Sequence, residues 1–339
     1  MSAPNVVGAG RQRVLVFRAL PPDQLALLQA VHEVTVADPR QPEQIEAFEA
    51  ALAQADGLIG SSYPITPALL ARAPSLKVIS SISVGVDNYP LAELRQRGIL
   101  LCHTPGVLTE TTADTIFSLI LATSRRLVEL ANLVREGHWR RSIGEDLFGR
   151  DVHGKTLGLV GFGRIGQALA RRAALGFGMP VLYHARRELD LSRQAPELQG
   201  RVRHASLEDV LSNADVVALV LPLSDETRGL MGAREFGLMK PGAIFINGAR
   251  GAIVQEAALL QALDSGHLWG AGLDVFATEP LPLDSPLRAH PRIIALPHIG
   301  SATFETRHAM AVLATDNLLQ ALAGERPEAV YSDVGGGEA

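Results

Sequence analysis

Lys155-Thr-Leu-Gly-Leu-Val-Gly-Phe-Gly-Arg-Ile-Gly166 is the stretch whose reading decides the fold. It opens as an apolar strand, turns through Gly161, Gly163 and Gly166 in the spacing G-x-G-x-x-G, and runs on into the helical Gln167-Ala-Leu-Ala-Arg-Arg-Ala-Ala. Each glycine has a physical reason. Gly161 permits a tight turn, Gly163 lets the backbone approach a pyrophosphate, and Gly166 lets helix pack closely on strand. Arg164 and Ile165 fall at the helix start, where unpaired N–H groups can hold phosphates. The bare motif is weak in a chain with 32 glycines. A strand before it, a helix after it and a second strand on schedule favour a dinucleotide site over a structural turn.

That second strand, Val181-Leu-Tyr-His184, bears on which dinucleotide binds. NAD sites usually carry a carboxylate about 20 residues after the glycines, bonded to the ribose 2′-hydroxyl. Here the strand runs into Ala185-Arg186-Arg187, and two guanidiniums can grip a 2′-phosphate as charge-assisted forks. The expectation is NADP(H) in preference to NAD(H). Glu188, next along, and a reading of the pair as solvated surface arginines keep the alternative open.

Outward from the fingerprint, short apolar runs alternate with helical patterns, the signature of an α/β protein with parallel sheets. A length of 339 residues favours two domains. The opening runs are Val14–Phe17, Glu33–Ala37, Gly57–Gly60, Val78–Ser81 and Ile99–Cys102. Helical stretches Pro22–Val31 and Pro42–Ala55 lie between them, the latter with Ile45, Phe48, Ala51, Leu52 and Ala55 on one face. Together these make a first domain of roughly 110 residues. One long helix is expected from Glu110 to Glu136, suited to a bridge or a subunit interface, with Ile116, Leu119, Ile120, Leu127, Leu130 and Leu133 as its apolar face. The second alternating set runs to about Pro297, and a final helix spans Ala302 to Leu322.

A net charge of −5 gives no electrostatic reason to expect nucleic acid or an anionic membrane as partner. The single cysteine, Cys102, allows no intrachain disulfide and no cysteine-rich metal site, and reads as a buried inert thiol. No apolar run is long enough to span a membrane or to open the chain as a signal peptide, so the expected location is the cytoplasm.

Three later strands each end in a candidate polar residue. Ala243-Ile-Phe-Ile-Asn-Gly-Ala-Arg-Gly251 presents Arg250, Gly272-Leu-Asp-Val-Phe-Ala-Thr-Glu-Pro280 presents Asp274 and Glu279, and Ile293-Ile-Ala-Leu-Pro-His-Ile-Gly-Ser301 presents His298. Open α/β sheets bind ligands outside the carboxyl ends of their strands. Arginine, carboxylate and histidine together are what keto-acid reduction needs: an arginine clamps the substrate carboxylate and polarises the carbonyl. A histidine donates the proton as hydride arrives, and a carboxylate holds that histidine oriented and charged. Singly, each has a bland reading: a satisfied polar histidine, a turn glutamate before proline, an arginine capping a strand. The combination with a nucleotide fold favours chemistry.

These stretches resemble the D-2-hydroxyacid dehydrogenase family from about Val14 to Gly324. The resemblance rests on Ser80-Ser-Ile-Ser-Val-Gly-Val-Asp-Asn88, His103-Thr-Pro-Gly-Val-Leu-Thr-Glu-Thr-Thr-Ala-Asp-Thr115, Pro297-His-Ile-Gly-Ser-Ala-Thr303 and the Tyr183-His-Ala-Arg-Arg run. Within that family the chain is similar to the bacterial glyoxylate/hydroxypyruvate reductase B group, also called 2-ketogluconate reductases. The resemblance implies Arg250, Glu279 and His298 as the catalytic set. It places the nicotinamide near Asp274, Ala249 and Val84, with Gly248 and Gly300 among the cofactor contacts and Leu221 and Pro222 along the cofactor. The amides of Val84 and Gly85 would receive the carboxylate of a small 2-keto acid, and Arg250 and His298 would meet the same substrate.

The implied architecture is a Rossmann-type, doubly wound parallel sheet at 111–299 and a discontinuous, flavodoxin-like substrate domain at 1–110 and 300–328, with 329–339 as a tail. A homodimer built on the 110–149 segment is implied as well. Phosphoglycerate, formate or phosphite dehydrogenases on the same scaffold are the rival enzymes, and the arginine pair speaks against the NAD-dependent ones. A cofactor-sensing corepressor is the rival of another class, and the complete Arg/Glu/His set speaks against it.

Overall fold

The structure, a computed structural model, describes residues 11–331. The described residues divide into two compact units, 11–108 with 303–331, and 109–302.

In the first unit β1 (Arg13–Val16), β2 (Glu33–Val36), β3 (Gly57–Gly60), β4 (Val78–Ser81) and β5 (Leu100–Cys102) form one parallel sheet in the order β2-β1-β3-β4-β5, a flavodoxin-like order. β3 and β4 are buried throughout, as parallel strands covered on both faces should be. β2 lies at the edge and is largely exposed. The helix Pro22–Val31 starts with proline at its first position, where no N–H is missed. The helix Phe304–Leu322 returns to this sheet, capped by Thr303, whose side chain accepts from the Thr306 amide. Gly57 admits it: a Cβ there would stand 2.9 Å from Leu318 Cδ1.

Two expectations are corrected in this unit. Residues 42–55 begin with a 3₁₀ turn, Pro42–Gln44, before the helix Ile45–Leu52, and Ile45 is exposed rather than packed with Phe48, Leu52 and Ala55. Residues 329–331, expected within the tail, are built into the unit. Val330 forms a bridge with Cys102, and the Tyr331 amide donates to the Leu101 carbonyl at 2.7 Å. Cys102 is buried, and burial pushes its thiol up to about 12.

In the second unit β6 (Leu157–Val160), β7 (Val181–His184), β8 (Val202–His204), β9 (Val216–Leu219), β10 (Ala243–Asn247), β11 (Leu268–Leu273) and β12 (Ile293–Ala295) form a parallel sheet in the order β12-β11-β10-β9-β6-β7-β8. Strand order reverses between β6 and β9, which sets the ligand crevice of a doubly wound sheet at their carboxyl ends. One core cluster joins Ile116, Leu119 and Ile120 to Leu157, Leu159 and Val181, and another joins Val160, Val217 and Leu219 to Phe245 and Ala271.

The single helix expected over 110–136 is two helices, Thr109–Ser124 and Leu127–Arg135. The break has a long-range cause. The Arg150 amide donates to the Ser124 carbonyl at 2.8 Å, and Gly149 lies so close that a Cβ would stand 2.7 Å from that carbonyl oxygen. Arg126 then takes a left-handed conformation (φ 54°), with its guanidinium bound to Glu129 and to the carbonyl of Asp146. The expected apolar stripe is divided accordingly. Ile116, Leu119 and Ile120 are buried, while Leu127, Val128, Val134, Trp139, Ile143 and Phe148 are exposed. No helix among the described residues is long and apolar enough to cross a membrane.

Candidate active site

The glycine turn follows β6 directly, and its three glycines meet three different surroundings. Gly161 has φ +101°, and a Cβ on it would stand 2.7 Å from the Val220 carbonyl oxygen. Gly166 faces the Gly161 carbonyl, where a Cβ would stand at 2.9 Å. At Gly163 a Cβ would meet no protein atom within 4 Å. Two glycines are therefore required by the fold itself. At the third, nothing within the protein requires glycine. Gly163 caps the helix Arg164–Arg171, whose first amides are the donors a phosphate needs. The residues present fit a dinucleotide.

β7 ends beside this turn, with the Gly161 amide donating to the His184 carbonyl at 2.9 Å. His184 and His204 fasten the ends of β7 and β8, bonding the carbonyls of Ala205 (3.3 Å) and Ala185 (3.0 Å). Past that knot Arg186, Arg187 and Glu188 are exposed. Neither arginine makes an ion pair or hydrogen bond among the described residues. Leu221, half-buried, and Pro222, exposed, follow β9, and Thr227 holds that loop by donating its hydroxyl to the Pro222 carbonyl.

The candidate polar residues sit past β10, β11 and β12. Asn247, fully buried at the end of β10, accepts from the Ala249 amide and donates to the Arg250 carbonyl, fixing the turn that presents Arg250. Gly248 is pressed against Ile116, and Gly251 against the backbone of Phe276, so this loop admits no bulk. Asp274 is 3% exposed, and its two oxygens accept the amides of Ile299 (2.8 Å) and Gly300 (2.9 Å). Burial raises its pKa, although those two amides and the charge of His298 work the other way. Asp274 thus clamps the loop that carries His298.

His298 stands in the left-handed region (φ 55°), a conformation unusual for a residue with a side chain. Its Nδ1 meets Glu279 Oε2 at 2.8 Å, and Glu279 Oε1 accepts the Phe276 amide at 3.0 Å. Burial pushes the Glu279 carboxyl up. The bonds from His298 and the Phe276 amide and the charges of His298 and Arg250 outweigh it, leaving the carboxyl below its ordinary value. The His298 side chain remains 47% exposed, so its far nitrogen can be reached.

The structure therefore brings together Arg250, Asp274, Glu279 and His298. Residues missed in the sequence are those that hold them: Asn247 as a positioning group, and the Phe276 amide. The one polar residue closing the apolar run Ala243-Ile-Phe-Ile-Asn247 was the available signal for the first.

A model of the D-isomer specific 2-hydroxyacid dehydrogenase, NAD binding domain, matches residues 117–300. The chain belongs to the D-isomer specific 2-hydroxyacid dehydrogenase family. It is an oxidoreductase. It is 52% identical over 314 residues to glyoxylate/hydroxypyruvate reductase B of Citrobacter koseri, covering 92% of this chain and 95% of that one. The corresponding reductase of Klebsiella pneumoniae is 51% identical over 313 residues, with the same coverage. Among solved structures, the NADPH-dependent glyoxylate/hydroxypyruvate reductase of Sinorhizobium meliloti, in complex with NADP and malonate, is similar. It has a TM-score of 0.84 and 32% identity, covering 96% of this chain and 98% of that one.

In the first unit Val84 and Gly85 lie on the loop after β4, both half-buried. His103, at the end of β5, holds that loop through Nδ1 and the Val84 carbonyl (3.2 Å), and the ring of Tyr331 packs edge-on against it.

Proposed function

We propose that this chain is an NADPH-dependent reductase of small 2-keto acids, among them glyoxylate, hydroxypyruvate and 2-ketogluconate, giving D-2-hydroxy acids. The observation that carries the reading is the 2.8 Å Glu279–His298 pair in a loop cluster with Arg250. The relatives are named for glyoxylate and hydroxypyruvate, and the Sinorhizobium meliloti enzyme for NADPH.

A nicotinamide dinucleotide, with its pyrophosphate at the Gly161–Gly166 turn, would supply the hydride. The protein does the rest. Glu279, held ionised, accepts from Nδ1–H of His298, so the proton to be given away stands on Nε2. As the carbonyl carbon becomes tetrahedral, negative charge grows on its oxygen and Nε2 delivers its proton there, leaving the neutral Nδ1–H tautomer bound to Glu279. Arg250 binds the substrate carboxylate and stabilises the growing charge. Asp274 keeps His298 in place through the Ile299 and Gly300 amides. The amides of Val84 and Gly85, which donate no hydrogen bond among the described residues, receive the carboxylate.

Arg186 and Arg187 are the residues for a 2′-phosphate, as unpaired exposed cations beyond β7. The exposed apolar side chains between Leu127 and Phe148 are the surface for a second copy of the chain, giving a homodimer. The test is NADPH oxidation by the purified chain with each of the three keto acids, beside NADH, with chiral analysis of the products of hydroxypyruvate and 2-ketogluconate, glycolate being achiral. Turnover faster with NADPH and a D product are expected. No turnover with any of the three, or an L product, would overturn the reading.

A further inference from the structure

Three arginines at one edge of the first unit have no part in the chemistry above. Arg18 stands two residues past β1, Arg40 four past β2, and Arg307 in the first turn of the helix Phe304–Leu322. β1 and β2 are adjacent and parallel, so Arg18 and Arg40 share the carboxyl edge of the sheet. The helix begins at that same edge. His308 approaches Asp23, at the head of the helix leaving β1, at 3.6 Å, while Gln12, ahead of β1, bonds the Leu322 carbonyl at the other end. The charges of Arg40 and Arg307 both act on Arg18.

Arg40 is spent on Asp38, the one carboxylate that acts on Arg18. Arg18 and Arg307 are partly buried, and their guanidiniums make no ion pair or hydrogen bond among the described residues. Burial depresses both guanidiniums, and in Arg18 the like charges of Arg40 and Arg307 depress it further. Folded proteins seldom leave cations half-buried and unanswered, because desolvation goes uncompensated. An anion from outside would answer the two guanidiniums, and the carboxyl edge of a parallel sheet is where ligands arrive.

We propose that Arg18 and Arg307, with Arg40 at the rim, form a subsite for a second anionic group, carboxylate or phosphate, at the far end of a keto-acid substrate. This rests on the reading that the Val84–Gly85 loop takes the first carboxylate. That loop follows β4, two strands from β1, a separation of about 10 Å at ordinary strand spacing. A keto acid of sugar-acid length spans it, and glyoxylate does not.

The test compares hydroxypyruvate, 2-oxoglutarate and 3-phosphohydroxypyruvate as substrates with NADPH. It uses the wild type, Arg18→Met, Arg307→Met and the double variant, with Arg→Lys at both positions to keep the charge. Binding of the two anion-tailed acids to the enzyme–NADP⁺ complex is followed by calorimetry. In each Met variant the ratio of kcat/KM for an anion-tailed acid to that for hydroxypyruvate should fall at least tenfold, and the Lys variants should keep most of it. The better of the two tails in the wild type tells carboxylate from phosphate. An unchanged ratio, or a loss equal for all three substrates, would overturn the subsite. If no keto acid is reduced at all, the reductase reading fails, and calorimetry decides the subsite separately. Anion binding lost in the double variant supports it, and absent or unchanged binding overturns it.

Discussion

Replacing Gly163 by alanine separates what the glycine turn does for the fold from what it does for a cofactor. The backbone there has φ −75° and ψ −163°, which alanine adopts freely, and the added methyl would meet no protein atom within 4 Å. Loss of chain entropy in the unfolded state favours the variant by about 0.4–1 kcal/mol. Alanine caps a helix less well than glycine, and the loss is about as large. The two offset, so thermal stability should move by no more than about 2–4 °C in a unit of this size.

Cofactor affinity should behave differently. A methyl standing where a pyrophosphate approaches would break at least one charge-assisted amide bond, about 1.5–3 kcal/mol, or roughly tenfold to a hundredfold in Kd. The assay is fluorescence titration with NADPH beside differential scanning fluorimetry of the free protein. Gly161→Ala is the contrasting variant. With φ +101° and a 2.7 Å approach to the Val220 carbonyl, it should lower the melting temperature as well. If Gly163→Ala bound NADPH as the wild type does, the turn would not be a pyrophosphate cradle.

Converting Arg186 and Arg187 together to leucine should weaken NADPH tens-fold while leaving NADH nearly unchanged, read from Kd for each. Equal effects on both cofactors would remove the 2′-phosphate assignment. The Glu279 carboxyl lies below its ordinary value of 4.5, so the carboxylate facing His298 is ionised above that pH and is lost only as pH falls through the lowered value. The acid limb of kcat/KM for reduction should accordingly fall below pH 4.5 wherever the fold survives, and a limb centred above it would contradict the pairing. Glu279→Gln should lower kcat for reduction, because the carboxylate that orients His298 at 2.8 Å is replaced by a neutral amide, and an unchanged kcat would contradict that role. Light scattering at micromolar concentration should give a dimer, and glutamate at both Leu127 and Val134 should give a monomer. A monomeric wild type would refute the interface.

Local patterns carried much of this structure. The strands at Glu33, Gly57 and Val78 start where the apolar runs start, and the helix Pro22–Val31 is legible from its proline and its spacing. The glycine turn was legible because it needs only three residues in a fixed local order. What the sequence concealed depends on contacts between distant segments. Nothing near Ser124 breaks a helix; Gly149 and Arg150 do so from some 25 residues away. Asp274 was visible as a carboxylate after a strand, yet its clamp on Ile299 and Gly300 exists only once β11 and β12 lie side by side. The seating of Val330 against Cys102 and the convergence of Arg18 with Arg307 likewise join residues far apart in the chain.

The central claim is that His298, aligned by Glu279, gives the proton in reduction of a 2-keto acid. Steady-state NADPH oxidation with hydroxypyruvate, wild type against His298→Ala, tests it most directly when NADPH binding is measured on the same samples. General acid help is worth roughly 10²–10⁴, so turnover should fall by that factor while NADPH still binds, because the phosphates are held at the glycine turn. A variant that turned over at near the wild-type rate with an unchanged pH profile would show that the proton comes from another group.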